Sequence, residues 1–161
     1  MKPGLLYSAL IGAVASARSM TPMAGIAMAR ALGNRTPGKL ALLDRPVFKL
    51  GALVLGVGEL FGDKMKSAPD RTVALGLLAR VSSAGIAGAA LAPPGRERSG
   101  AVTAIATAVP LAYLTLAGRE RAMAQIGQTR SGLIEDVIVV AAAATIVALA
   151  VGRARPQRAA T

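Results

Sequence analysis

The chain has 161 residues, of which 53% are hydrophobic, 17% charged and 2% aromatic, and its formal net charge is +11. It has no Cys and no His, which excludes disulfides, thiol nucleophiles, the usual zinc sites and His-ligated haem. The length allows one compact domain, and a mean hydropathy of +0.53 indicates a membrane protein rather than a soluble one.

The basic residues lie mainly between apolar runs. In a soluble chain such a charge would indicate nucleic-acid binding, but no aromatic side chains accompany it as a surface for base stacking. We therefore assign the positive charge to contacts with a lipid bilayer that carries anionic headgroups, and to membrane topology. No nucleic-acid partner is expected.

The first apolar run extends over 28 residues from Leu5 to Leu32 and is interrupted by Arg18-Ser19-Met20-Thr21-Pro22. A straight helix of that length would measure about 42 Å at ~1.5 Å per residue, longer than a hydrocarbon core of ~30 Å. The pattern predicts two helices, one from Leu5 to Ala17 and one that Thr21 caps and Pro22 begins. We interpret the run as a retained membrane segment rather than a cleaved signal.

Four further apolar runs follow, separated by polar or proline-containing connections. Three of them carry charges that matter below: Glu59 lies in the last turn of the run 47–62, Arg80 lies in the first half of the run 72–92, and Glu135-Asp136 lie at the start of the run 133–152. The runs cover residues 47–62, 72–92, 99–118 and 133–152. We predict a single transmembrane helical domain over residues 1–152, all-α with four to five spans and a broken or re-entrant first helix, followed by a basic, disordered tail over residues 153–161.

The distribution of Lys and Arg bears on the topology. With five spans the two sides of the membrane carry seven and eight basic residues, which sets no orientation. If the first run turns back as a re-entrant hairpin, one side carries nine and the other six, and both termini are expected in the cytoplasm. We favour the hairpin, in a multi-pass protein of the bacterial inner membrane.

Charges within apolar runs are the candidates for function. Arg18 and Arg80 cannot lose their protons, and a charge at bilayer depth costs at least ~2.5 to 3.5 kcal/mol. Each needs a carboxylate, a water-filled cavity or an anionic ligand, and Glu59 and Glu135 are the acids in apolar runs that are available to neutralise them. The predicted ligand-binding residues are Arg18, Ser19, Thr21, Glu59 and Arg80, and the predicted structural ion pairs involve Asp63, Lys64, Arg71, Glu135 and Asp136.

One combination of motifs is similar to a known family. Glu59-Leu60-Phe61-Gly62-Asp63-Lys64, the later Arg80, the upstream Arg18-to-Pro22 stretch and the Glu135-Asp136 pair together resemble a bacterial membrane-protein family catalogued as domain of unknown function four-one-two-six. The likeness runs from about Ala15 to Asp136, with Ser16 where the family commonly has glycine. The resemblance implies a multi-span helical membrane protein and no specific activity.

Two functions from different classes fit these features. The first is a small membrane protein that binds or passes a small anionic solute, or a lipid headgroup, at the intramembrane arginine site. The second is a non-catalytic accessory or scaffold subunit of a homodimer or larger membrane assembly, in which the arginines only lock helices together. No nucleophile, nucleotide fingerprint or metal-ligand set accompanies the charges, so we expect no enzyme activity and no cofactor.

Overall fold

The computed structural model describes residues 5–62 and 74–154. Within these ranges the chain is all-α, as predicted, with no strand. The elements are α1 (Leu6–Ala17), α2 (Thr21–Ala31), a 3-10 turn (Ala41–Asp44), α3 (Pro46–Gly62), α4 (Ala74–Leu91), α5 (Glu97–Ile126) and α6 (Gln128–Ala154).

Two helices are longer than the apolar runs that predicted them. The sequence places a polar connection from Arg119 to Gly132, but α5 continues to Ile126 and α6 begins at Gln128, with only Gly127 between them. This segment is rich in Ala, Met, Gln, Glu and Arg, which are all strong helix formers, so propensity continues the helix after hydrophobicity ends. At the other end α6 includes Arg153, which the sequence predicts to lie in the tail; residues 155–161 lie outside the described ranges.

The first apolar run is broken, as the sequence predicts. The backbone of Arg18 is extended (φ −134°, ψ 115°), and this ends α1 before α2 begins at Thr21. The Ser8 hydroxyl near the start of α1 donates to the carbonyl of Gly88 at 2.8 Å, and the N–H of Gly38, after α2, donates to that of Ala90 at 2.9 Å. Both bonds reach the C-terminal end of α4, so α1 and α2 form a hairpin whose two outer ends lie on the same side of the bundle.

Small residues allow α1, α4 and α5 to pack closely. A side chain at Gly12 would collide with the backbone of Ala104, and one at Gly88 would collide with that of Gly100. Such close backbone approach is typical of helix packing in lipid, where small residues replace the hydrophobic effect as the basis of association. This junction holds the hairpin against the longer helices.

Two helices of the described chain, α5 and α6, are long and apolar enough to cross a membrane. The most apolar stretch of α5 is only 22% buried and that of α6 only 39% buried, so neither resembles the core helix of a soluble protein. Large apolar side chains such as Val47 of α3, Val102 of α5 and Val137 of α6 are more than half exposed. An apolar surface of this kind supports membrane association.

Candidate functional site

The start of α2 is capped by a side chain from another helix. The sequence predicts a Thr21 cap, but the capping position is Met20, which makes no side-chain cap. Instead the carboxylate of Glu59, in α3, accepts hydrogen bonds from the backbone N–H of Ser19 (2.7 Å), the Ser19 hydroxyl (2.5 Å) and the backbone N–H of Met20 (2.8 Å). An anion at a helix N-terminus satisfies donors that lack partners within the helix and interacts favourably with its dipole. The predicted anion-binding corner therefore holds an anion that belongs to the protein.

Arg18 lies in the bundle interior with 1% of its surface exposed. Its Nη2 donates to Oδ1 of Asp136 in α6, a residue that is itself only 8% exposed. The pair joins positions 118 residues apart in the chain and fixes the hairpin corner to α6. The sequence predicts Glu59 and Glu135 as the neutralising acids, whereas in the structure Arg18 pairs with Asp136, the residue next to Glu135.

Arg80 reaches the C-terminal end of α1. Its Nε donates to the carbonyl oxygen of Ser16 at 3.1 Å, and an Nη donates to that of Gly76 at 3.3 Å. The Thr115 hydroxyl of α5 donates to the same Ser16 carbonyl at 3.2 Å. The last carbonyls of a helix lack intrahelical partners and carry partial negative charge, so a cation there is stabilising. Arg80 thus complements the end of α1 as Glu59 complements the start of α2.

Glu135 faces a different neighbour from Asp136. Its carboxylate accepts from Nη1 of Arg119 in α5 at 2.7 Å, and the two side chains are 10% and 18% exposed. Successive helical residues point about 100° apart, which is why the two adjacent acids serve two different arginines. The pair joins α5 to α6 near their short connection.

The structure therefore brings the predicted ligand-binding residues to one corner of the bundle. Four of them bond to protein groups, namely Arg18, Ser19, Glu59 and Arg80, and Thr21 lines the groove described below. We call this arrangement the charge lock; it comprises the Arg18–Asp136 pair, the Glu59 cap and the Arg80 contact with Ser16. Three of the predicted ion-pair residues, Asp63, Lys64 and Arg71, lie outside the described residues. No group of three or more acidic residues that could hold a metal ion occurs in the ranges 5–62 and 74–154.

Two residues that contact this site or its neighbour Glu135 are not predicted from the sequence, namely Thr115 and Arg119. The position of Asp136 on the buried face of α6 could be predicted from helical spacing. Asp136 lies three, seven and fourteen residues before Val139, Ala143 and Ala150, which are all buried on that face. The role of Thr115 could not be predicted in this way, since it depends on the position of a backbone carbonyl in another helix.

A groove opens beside the charge lock, between α2, α3 and α6. Its volume is about 540 Å³ and its lining is almost entirely apolar or small. Thr21 and Leu60 lie at one end of this groove, and Asn34 and Gly152 lie at the other. Arg18 is not among its lining residues.

A second concavity, which we call the basic pocket, has a volume of about 790 Å³. It lies where α2 ends and the following loop passes the ends of α4 and α6. Its charged lining residues are Arg30, Arg35 and Lys39, with one acid, Asp44.

In the charge lock, charged side chains are neutralised by other groups of the same protein. Each buried charge has an oppositely charged group or a helix terminus beside it, and an external anion at the start of α2 would have to displace the Glu59 carboxylate from three hydrogen bonds. Comparisons of this chain with known protein families, curated proteins and solved structures find no match.

Proposed function

We propose that this chain is a non-catalytic integral membrane protein that acts as an accessory or scaffold subunit of a larger membrane assembly. The observation that carries the proposal is the charge lock, in which Arg18, Glu59 and Arg80 each bond to protein groups. Buried ion pairs are weak sources of stability but can specify one arrangement of helices. A small bundle whose internal charges fix the helix register, and whose outside is apolar, suits a structural role.

We also propose the membrane topology that goes with this role. The helices α3 to α6 form four spans, and α1 with α2 forms a re-entrant hairpin that enters and leaves on one side. The hairpin bonds of Ser8 and Gly38 to the end of α4 support this arrangement. The excess of basic residues on the side of the hairpin's outer ends supports cytoplasmic termini in a bacterial inner membrane.

The other candidate, a site that binds or passes a small anionic solute, has less support. It requires an anion to compete with Asp136 for Arg18 or with Glu59 for the start of α2. The adjoining groove is apolar, which does not suit a hydrated anion. Kinship with the family named above likewise stays a proposal that rests on the motifs around Arg18, Glu59 and Glu135.

Anion flux separates the two functions. The purified protein is reconstituted in vesicles, and efflux of chloride and phosphate is compared with that of protein-free vesicles and of the double variant Arg18→Met/Asp136→Leu. We expect no flux above the protein-free background, and we expect the wild-type protein in mildly solubilised native membranes to migrate as an assembly larger than its monomer. Flux that the double variant abolishes, with its helical content intact, would overturn the structural proposal in favour of the solute site.

A further inference from the structure

We propose that the basic pocket and the groove together form a binding site for one anionic phospholipid. Its phosphate would lie in the basic pocket, and one acyl chain would lie in the α2–α3–α6 groove. This inference rests on the membrane setting proposed above and adds a ligand that the charge lock does not involve.

The two concavities are lined by adjoining stretches of the chain. Asn34 lines the groove and the next residue, Arg35, lines the basic pocket; on α6, Gly152 lines the groove and Ala154 the pocket. A basic pocket whose lining residues adjoin those of an apolar groove matches a phospholipid and does not match a small hydrated ion.

The groove has the length of one leaflet. From Thr21 to Leu32 the axis of α2 rises about 16 Å at ~1.5 Å per residue, and half of a ~30 Å hydrocarbon core is ~15 Å. Both residues line the groove. An acyl chain whose glycerol lies near the end of α2 would therefore reach the charge lock near the bilayer midplane.

The basic pocket complements a phosphate. Three of its lining residues are cationic and one is acidic, and both Arg35 and Lys39 are exposed. Arg30 uses its two terminal nitrogens on Asp44 (2.6 Å) and Thr36 (2.7 Å), while its buried Nε has no acceptor among the described residues. Clusters of basic residues between helices at the cytoplasmic side favour anionic headgroups. In the proposed topology this pocket lies on that side.

Native mass spectrometry in detergent tests the site by titrating the full chain with phosphatidylglycerol or with phosphatidylcholine of the same acyl chains. We expect phosphatidylglycerol to bind at least about tenfold more tightly. The variant Arg35→Ala/Lys39→Ala should weaken its binding about 30-fold, as expected for the loss of two cationic contacts of ~1 kcal/mol each. The matched control Arg98→Ala/Arg121→Ala removes the same charge from exposed positions outside the pocket and should change binding less than about threefold.

Two further arms identify what occupies the groove. Ala148→Phe places a ring in the groove from an exposed position of α6, and we expect this variant to bind phosphatidylglycerol more weakly. In a separate competition experiment on the wild-type protein, we expect the soluble headgroup glycerophosphoglycerol to displace the lipid poorly. Equal binding of the two lipids, equal effects of both double variants, tight binding of the soluble headgroup, or a lipid-free dimer that buries the groove would each overturn the proposal. Release of the protein from membranes by an alkaline wash would instead overturn the membrane setting itself.

Discussion

Replacing Asp136 by Leu tests the physical basis of the charge lock. The substitution leaves the guanidinium of Arg18, which is 1% exposed, without the carboxylate of its partner. Removing one member of a buried ion pair costs about 3 to 5 kcal/mol, and the insertion cost of a central arginine is ~2.5 to 3.5 kcal/mol. We therefore expect Asp136→Leu to lower the free energy of unfolding by about 3 kcal/mol.

The double variant Arg18→Met/Asp136→Leu distinguishes two contributions to the free energy of unfolding. One is the stabilisation by the ion pair, and the other is the cost of burying Arg18 without the Asp136 carboxylate. Replacing both members of a buried pair by apolar groups is often neutral or stabilising by about 1 to 4 kcal/mol. We expect the double variant to lie within about 1 kcal/mol of wild type, which gives a coupling energy of at least about 2 kcal/mol.

The assay is reversible unfolding in mixed micelles, followed by helical circular dichroism. The Arg119–Glu135 pair supplies the comparison, because its side chains are 10% and 18% exposed against 1% and 11% for Arg18 and Asp136, so its coupling energy should be the smaller of the two. If Asp136→Leu does not fold, Asp136→Asn removes the charge and keeps an acceptor. A cost for Asp136→Leu below about 1 kcal/mol, or additive effects in the double variant, would refute the reasoning.

Two further predictions concern the elements around the charge lock. Glu59→Gln keeps an acceptor but removes the negative charge from the start of α2. We expect it to lower the free energy of unfolding by about 1 to 2 kcal/mol in the same assay. An unchanged free energy of unfolding would contradict the capping role. Gly12→Leu forces α1 away from the backbone of Ala104 and should lower the free energy of unfolding by about 1 to 3 kcal/mol or more. The control Gly51→Leu, at a position with open space around it, should lower it by less than about 0.5 kcal/mol. Equal losses of stability in the two variants would contradict the close packing of α1 on α5.

Much of the local structure could be predicted from the sequence. The break at Arg18 follows from a run too long for one span, and from a charge and a proline within it. The helical class and the two candidate spans follow from apolar runs without strand-like alternation. These features depend on neighbours along the chain, which the sequence displays directly.

The partners of the buried charges were less accessible. Whether Glu135 or Asp136 neutralises Arg18 depends on the rotation of α6, and adjacent residues differ by about 100° in that rotation. The role of Glu59 depends on the place where α3 passes the start of α2, 40 residues away in sequence. A capping rule that considers only local side chains selects Thr21, because it cannot include a carboxylate from another helix. The number of spans and the membrane orientation stay predictions.

Single-cysteine labelling tests the re-entrant hairpin most directly, since the natural chain has no Cys and needs no background substitutions. Cysteines are introduced one at a time before Met1, in place of Thr161 and in place of Gln125, an exposed residue at the end of α5. Each variant is then treated with a membrane-impermeant maleimide in right-side-out vesicles and, separately, in inside-out vesicles, which expose the cytoplasmic side. We predict that the two terminal cysteines are labelled from the cytoplasmic side and the one at Gln125 from the opposite side. Labelling of the two termini from opposite sides would show that the first run crosses the membrane, which would contradict the hairpin.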